Sequence, residues 1–310
     1  PRADAPLRHG RGRVVTDVLV LERLARNAAL GVRFRDIATG ATAIDGLDVQ
    51  VYPRANPRAR TNATVSPSGV YVAHAVRGLR EFEYLDADPD LLWTEPARPC
   101  RIEVRDPEGR YLPMAFDADL PARGLLTWAA PWFSPPAPIA PPLAAGSPAQ
   151  LALGSIPLFS APSRPVPDPL AAVYAQLRES GSGLPGAWLA LGVSIDGVRR
   201  GLGLADGEGR VAVLFAYPEP PRVSLASPPE SRNDFTWELE FEAFGAIASP
   251  AVPPAPIAEL ADVLAALAAP RAVLDSAFSP SLPMRLAYRQ PLVARTAGAA
   301  AADASFLLVS

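Results

Sequence analysis

Between residues 34 and 84 the chain is cut every few positions by turn-forming sequences, and the runs between the cuts have the length and composition of strands. Ala38-Thr39-Gly40 and Ser66-Pro67-Ser68-Gly69 supply the breaks. Proline presets φ for a turn, and glycine takes the positive φ that other residues avoid. The runs at 31–35, 47–52, 70–75 and 80–84 carry β-branched and aromatic residues between them. Such punctuation restricts the fold to short antiparallel strands, the way a small β-sandwich is written.

The pattern continues along the chain. Runs at 101–105 and 112–116 flank Asp106-Pro107-Glu108-Gly109, and runs at 171–177, 187–195 and 211–217 surround Asp196-Gly197 and Asp206-Gly207-Glu208-Gly209. Residues 235–242 alternate apolar and acidic side chains, as a strand with one buried face does. Residues 14–24 read as a strand or a short helix, with β-branched content favouring the strand. Ile257, Leu260, Val263, Leu264 and Leu267 recur at helical spacing before Pro270, and 284–288, 291–295 and 305–309 read as closing strands. The glycines of 201–207 do not match a dinucleotide fingerprint, because the third is displaced by one place, so this segment reads as a strand with a turn.

A chain of 310 residues exceeds one ordinary sandwich and suits two or three units. Proline, at 37 residues, concentrates between 128 and 169. The expected fold class is mainly β: tandem antiparallel sandwiches joined by a proline-rich connector, with one short C-terminal helix. The expected boundaries are an arginine-rich arm at 1–13, a first sandwich at 14–125, the connector at 126–169, a second sandwich at 170–250, and a C-terminal helix with closing strands at 251–310 packed on the second sandwich. The connector reads as extended and polyproline-like, or else as a disordered linker. Trp128, Trp132 and Phe133 within it are candidates for contact with a partner.

Charge and residue chemistry exclude several classes of function. The net charge is −3 and the 29 basic residues are all arginine, without the basic stripe of a nucleic-acid binder. The arginine-dense stretches at 8–13 and 54–60 are short and read as a solvated tail and a loop. No apolar run has the length of a membrane span, and 1–13 has no apolar export core, so a cytoplasmic protein, or part of a particle assembled in the cytoplasm, is expected. One cysteine, Cys100, allows no internal disulfide or multi-cysteine zinc site. The only histidines are His9 and His74, which leaves a nucleophilic triad dependent on His74 alone. Asp86, Asp88 and Asp90 form an acidic i, i+2, i+4 set with oxygen ligands suited to calcium, but Pro89 and the absence of a turn glycine argue against an EF-type loop. No cofactor is expected. Glu238, Glu240 and Glu242 stand on one face of their strand as an acidic ladder, either solvated or met by an arginine-rich partner surface.

The first unit resembles the carboxypeptidase regulatory-like, or transthyretin-like, sandwich. The resemblance is carried by Phe34-Arg35-Asp36 with Thr39-Gly40, by Asp45-Gly46-Leu47, and by Ser66-Pro67-Ser68-Gly69-Val70-Tyr71 in the place of that family's Thr-Asp-x-Asp-Gly-x-Tyr turn. Ser66 and Ser68 stand where acidic residues are usual, and a second echo lies in 187–218. The resemblance implies a non-catalytic accessory fold and no catalytic residues. By architectural analogy, such modules without an export signal are similar to structural parts of phage tails and contractile injection particles. The expectation is therefore a structural or interaction subunit, not an enzyme, whose partners are other protein subunits or further copies of itself. A carbohydrate- or cell-surface-binding module is the alternative.

Overall fold

β1 (Leu30–Asp36) buries Leu30, Val32, Phe34 and Asp36 and leaves the residues between them half-covered, the period of two that a pleated strand imposes. The computed structural model describes residues 26–85, 94–122, 125–126, 155–218, 235–245, 255–281, 283–296, 298 and 305–310. Over these residues the chain is mainly β, with curled sheets. The first half continues with β2 (Asp48–Pro53), β3 (Thr61–Asn62), β4 (Thr64–Val65), β5 (Val70–Ala73), α1 (Arg80–Glu83), β6 (Arg98–Arg105), β7 (Met114–Leu120), β8 (Leu125–Leu126) and β9 (Ile156–Leu158). The second comprises β10 (Leu170–Glu179), β11 (Ala190–Ile195), β12 (Val198–Leu204), β13 (Arg210–Ala216), β14 (Thr236–Phe244), β15 (Ala258–Glu259), α2 (Leu260–Ala266), β16 (Pro270–Leu274), β17 (Met284–Ala287), β18 (Leu292–Val293) and β19 (Leu307–Val309).

These strands form three sheets. One runs β4-β5-β1-β8, with β9 also on β1; another runs β15-β7-β6-β2-β3. The largest runs β12-β11-β14-β16-β19-β10-β13, with β17 beside β14 and β18 beside β10. It curls until its two end strands meet face to face, where a Cβ on Gly203 of β12 would stand 2.6 Å from the Ala212 carbonyl of β13. A side chain there has no room, which is why the close approach needs glycine.

The hydrogen-bond ladder of the first half recurs in the second. Antiparallel pairs run from Leu30↔Ala73 to Arg33↔Val70 between β1 and β5, and from Val173↔Val213 to Gln176↔Arg210 between β10 and β13. Each leading strand then turns in the same way. Asp36 N–H donates to Ala41 O and Gly40 N–H to Asp36 O; Glu179 N–H donates to Leu184 O and Gly183 N–H to Glu179 O. Each of the two carboxylates accepts from a hydroxyl three residues on, Thr39 or Ser182. β9 runs parallel to 34–36 as β19 runs parallel to 177–179. Elsewhere in the two halves, Gln50 of β2 faces Asn62 and Glu103 as Ala190 of β11 faces Leu204 and Phe244.

Two buried clusters fill the halves. Val32, Phe34 and Tyr71 meet Val51, Ile102, Val104 and Phe116 in the first; Val173, Leu177, Leu191, Val213 and Leu239 build the second. Burying each such side chain contributes about 1.5–3 kcal/mol. Ala190, Leu204 and Phe244 of the second half belong to the first cluster, so the halves share apolar surface.

Three expectations change. The 80–84 run, expected as a strand, forms α1: no strand among the described residues lies alongside it, and burial of Leu79 and Phe82 at i, i+3 spacing selects a helical turn. The connector expected at 126–169 does not link two units along its whole length. β8 and β9 both lie on β1, 127–154 lies outside the described residues, and 159–169 makes the passage to the second half. Ile156, Leu158 and Phe159 are fully buried, and Pro157 is tolerated because β9 pairs only with β1 and lies at an edge. Finally, α2 forms within the predicted helical spacing, but it packs on the first half. β15 adds parallel to β7 at Ala258↔Met114, and Leu260, Val263 and Leu267 enter the first cluster. Arg101 and Glu259 pair across this junction, and Trp188 Nε1 donates to Ala255 O at 2.9 Å. The arm at 1–13 and the run at 14–24 lie outside the described residues.

Candidate functional site

The partners of the polar groups buried in these cores decide whether they hold the fold or do chemistry. Arg164 donates to both oxygens of Asp36, Nη2 to Oδ2 at 2.7 Å and Nη1 to Oδ1 at 3.1 Å, and Nη1 also reaches Ser160 Oγ at 2.9 Å. Burial raises the Asp36 carboxyl, but Arg164, the Thr39 hydroxyl and the Ala38 N–H outweigh it and hold it below the usual carboxylate range. Burial likewise raises Glu103, and the Tyr52 hydroxyl at 2.5 Å with Arg60 at 3.0 Å brings it down. Arg26 donates twice to Glu83 Oε2, at 3.0 and 2.7 Å. Each carboxylate is clamped by an arginine, with Glu83 Oε1 left without a hydrogen-bond partner among the described residues.

The candidate nucleophiles have no such machinery. Cys100 is buried in β6, and burial together with Asp119 pushes its thiol up to about 11, so it is protonated at neutral pH. His74 stands half-buried one residue past β5, and its Nδ1 has no hydrogen-bond partner among the described residues. No group of three or more metal-ligating side chains converges among the described residues. Asp86, Asp88, Asp90, Trp128, Trp132, Phe133 and His9 lie outside them. No helix of the described residues is long and apolar enough to cross a membrane.

The acidic ladder of β14 forms as the alternation predicts, with Glu238 and Glu240 exposed and Trp237 and Leu239 buried. Arginines of the same chain meet part of it. Glu242 pairs with Arg199 at 2.5 Å, and Glu238 lies 4.0 Å from Arg285 on β17. Glu240 makes no ion pair among the described residues, and it lines a groove of about 470 Å³ with Glu242, Arg271, Pro270 and Pro280.

Five-residue turns recur around both halves. In 66–70, 106–110, 206–210 and 275–279 the first side chain accepts from the N–H four residues on, and the first carbonyl accepts from the fourth N–H. The fourth residue sits in the left-handed region, as Gly69, Gly109 and Gly209 do at φ of 74°, 68° and 80°. In the last turn it is Phe278, at φ 59° and 63% exposed. A non-glycine residue in this region costs about 1–2 kcal/mol.

A second groove, about 280 Å³, opens where β10 begins and β13 ends. Pro167, Pro169, Tyr217 and Tyr288 line it, with Asp168 and Arg289 as its charged members. The Tyr217 and Tyr288 rings meet edge to face at 5.0 Å, and Trp237 lies beneath them. Arg289 also takes a positive φ, 60°, with its N–H donated to Tyr217 Oη and its guanidinium over the Tyr288 ring.

The sequence reading missed Phe278, Tyr217, Tyr288 and Arg289. Tyr217 and Tyr288 each end a predicted strand, but nothing in sequence spacing says that those ends meet. Asp275 with Ser279 carries the turn signature without the glycine that marks it elsewhere. No protein-family model matches the chain, and no curated protein matches it in sequence.

Proposed function

We propose that the chain is a non-catalytic structural or interaction subunit of a large assembly, built from two tandem β-sandwich modules of the carboxypeptidase regulatory-like kind. The observation that carries this reading is the recurrence of strand pairings in both halves, β1 with β5 and β9 as β10 with β13 and β19, and of the turn that follows Asp36 and Glu179. Duplicated modules sharing a core give a stiff body whose turns and edges face outward, an arrangement suited to contact. Buried carboxylates spent on arginine clamps support the same reading. A phage-tail-like or contractile injection particle is the kind of assembly proposed, by analogy of architecture.

Affinity purification of the tagged chain from its natural source, followed by quantitative mass spectrometry, tests this. Partner subunits should be recovered in fixed small-integer ratio. A monodisperse monomer with no stoichiometric partner, retained on immobilised glycans, would contradict it and favour a carbohydrate-binding module.

A further inference from the structure

We propose that Phe278 is a docking knob that enters the Tyr217–Tyr288 groove of a second copy of this chain, joining copies head to tail. The chain supplies its own controls for the knob. Three turns with the same hydrogen bonds place glycine in the left-handed position, where it fits without strain; the fourth places an exposed phenylalanine there. With the ring 63% exposed, burial does not offset the strain of that position, and the side chain is left available for a contact outside its own turn.

The groove fits the knob in size, surface and charge. Its volume of about 280 Å³ accommodates a phenyl ring, and the Tyr217 and Tyr288 rings with Pro167 and Pro169 offer the apolar walls that an aromatic anchor takes. At the base of the knob the Asp275 carboxylate accepts from backbone N–H groups of its own turn, Ala277 and Ser279, and makes no ion pair among the described residues. Arg289 in the groove stacks on Tyr288 and makes no ion pair among the described residues. Docking brings this free carboxylate and free guanidinium together as opposite charges. Asp168 also lines the groove, so a knob carrying a carboxylate docks only with its charge turned to Arg289. Knob and groove are different surfaces of one chain, so a joined pair still carries one free knob and one free groove, and growth continues.

The proposal deepens the subunit reading and rests on it only for the expectation that the chain assembles. Sedimentation velocity of the pure full chain across a concentration series tests it. The wild-type chain should form species beyond the dimer as concentration rises. Phe278→Gly, which relieves the strained turn and should keep or raise Tm, and Arg289→Glu, which changes an exposed charge, should each weaken association at least about tenfold. Mixed in equal amounts, the two variants have one intact groove and one intact knob between them, and should form a dimer and nothing larger. A wild-type chain that stays monomeric throughout, or a Phe278→Gly variant that associates as the wild type does, overturns the proposal. So does a groove that is occupied by simple sugars and blind to Phe278. Recovery of a particle with other subunits that is unaffected by Phe278→Gly would sink the knob and leave the subunit reading standing; Phe278-dependent self-association without any other partner would uphold the knob and confine the assembly to copies of this chain.

Discussion

Arg164 and Asp36 close the first half by a bidentate ion pair in which both residues are almost wholly buried, with Ser160 and the face of Tyr111 completing the shell around the guanidinium. Removing one member leaves the other charged and unpaired in a low-dielectric site. Arg164→Ala should therefore cost about 3–5 kcal/mol in urea denaturation, and replacing both residues by apolar side chains of similar size should cost much less. The pH dependence follows from the direction of the Asp36 shift. Its carboxyl is lower in the folded chain than in the unfolded one, so its stabilisation is fully present above the ordinary carboxylate value of about 3.9 and is lost as pH falls through the lowered folded value. Asp36→Asn should lower Tm at neutral pH and flatten the acid limb of the Tm curve. An acid limb as steep as in the wild-type chain would assign the acid sensitivity to other groups, Glu103 first among them.

Among the elements, those whose signal lies within their own residues were legible. β14 alternates apolar and acidic side chains along its length, and β1, β2, β10 and β13 fall where β-branched runs end at turns. β9, β15 and α1 were not. Each is two to four residues long, and its state is decided by packing: Phe34 opposite Ile156, Met114 opposite Ala258, and burial of Leu79 and Phe82 for Arg80–Glu83. The helical spacing of 257–267 was readable, but the surface it covers was not, because an apolar stripe does not say which core receives it. Leu260, fully buried, anchors that crossover. Leu260→Ala should cost about 2–5 kcal/mol and accelerate hydrogen exchange along β15 and β7. If exchange in β7 is unchanged, α2 is a surface addition and not a brace between the halves.

At the scale of the whole molecule, repetition and a shared core belong together. The halves share several strand pairings, but Ala190, Leu204 and Phe244 of the second half are buried with the first, and β15 with α2 returns from the second half to cover β7. Heating should therefore unfold both halves in one cooperative transition, with calorimetric and van't Hoff enthalpies in agreement; two resolved transitions would show that the halves stand independently. The candidate contact sites were only partly visible beforehand. The acidic ladder follows from alternation alone, whereas the tyrosine groove is assembled from the start of β10, the end of β13 and the end of β17, which only the fold brings together. If the chain works by contact through its outward turns and grooves, as proposed, those surfaces are covered in its native assembly. With no lysine in the chain, amine-directed cross-linking is of little use, and hydroxyl-radical footprinting of the chain in its native assembly against the isolated chain is the most direct measurement. Protection concentrated at Phe278, Tyr217 and Tyr288 is the predicted result; an identical oxidation pattern in the two states would contradict the account.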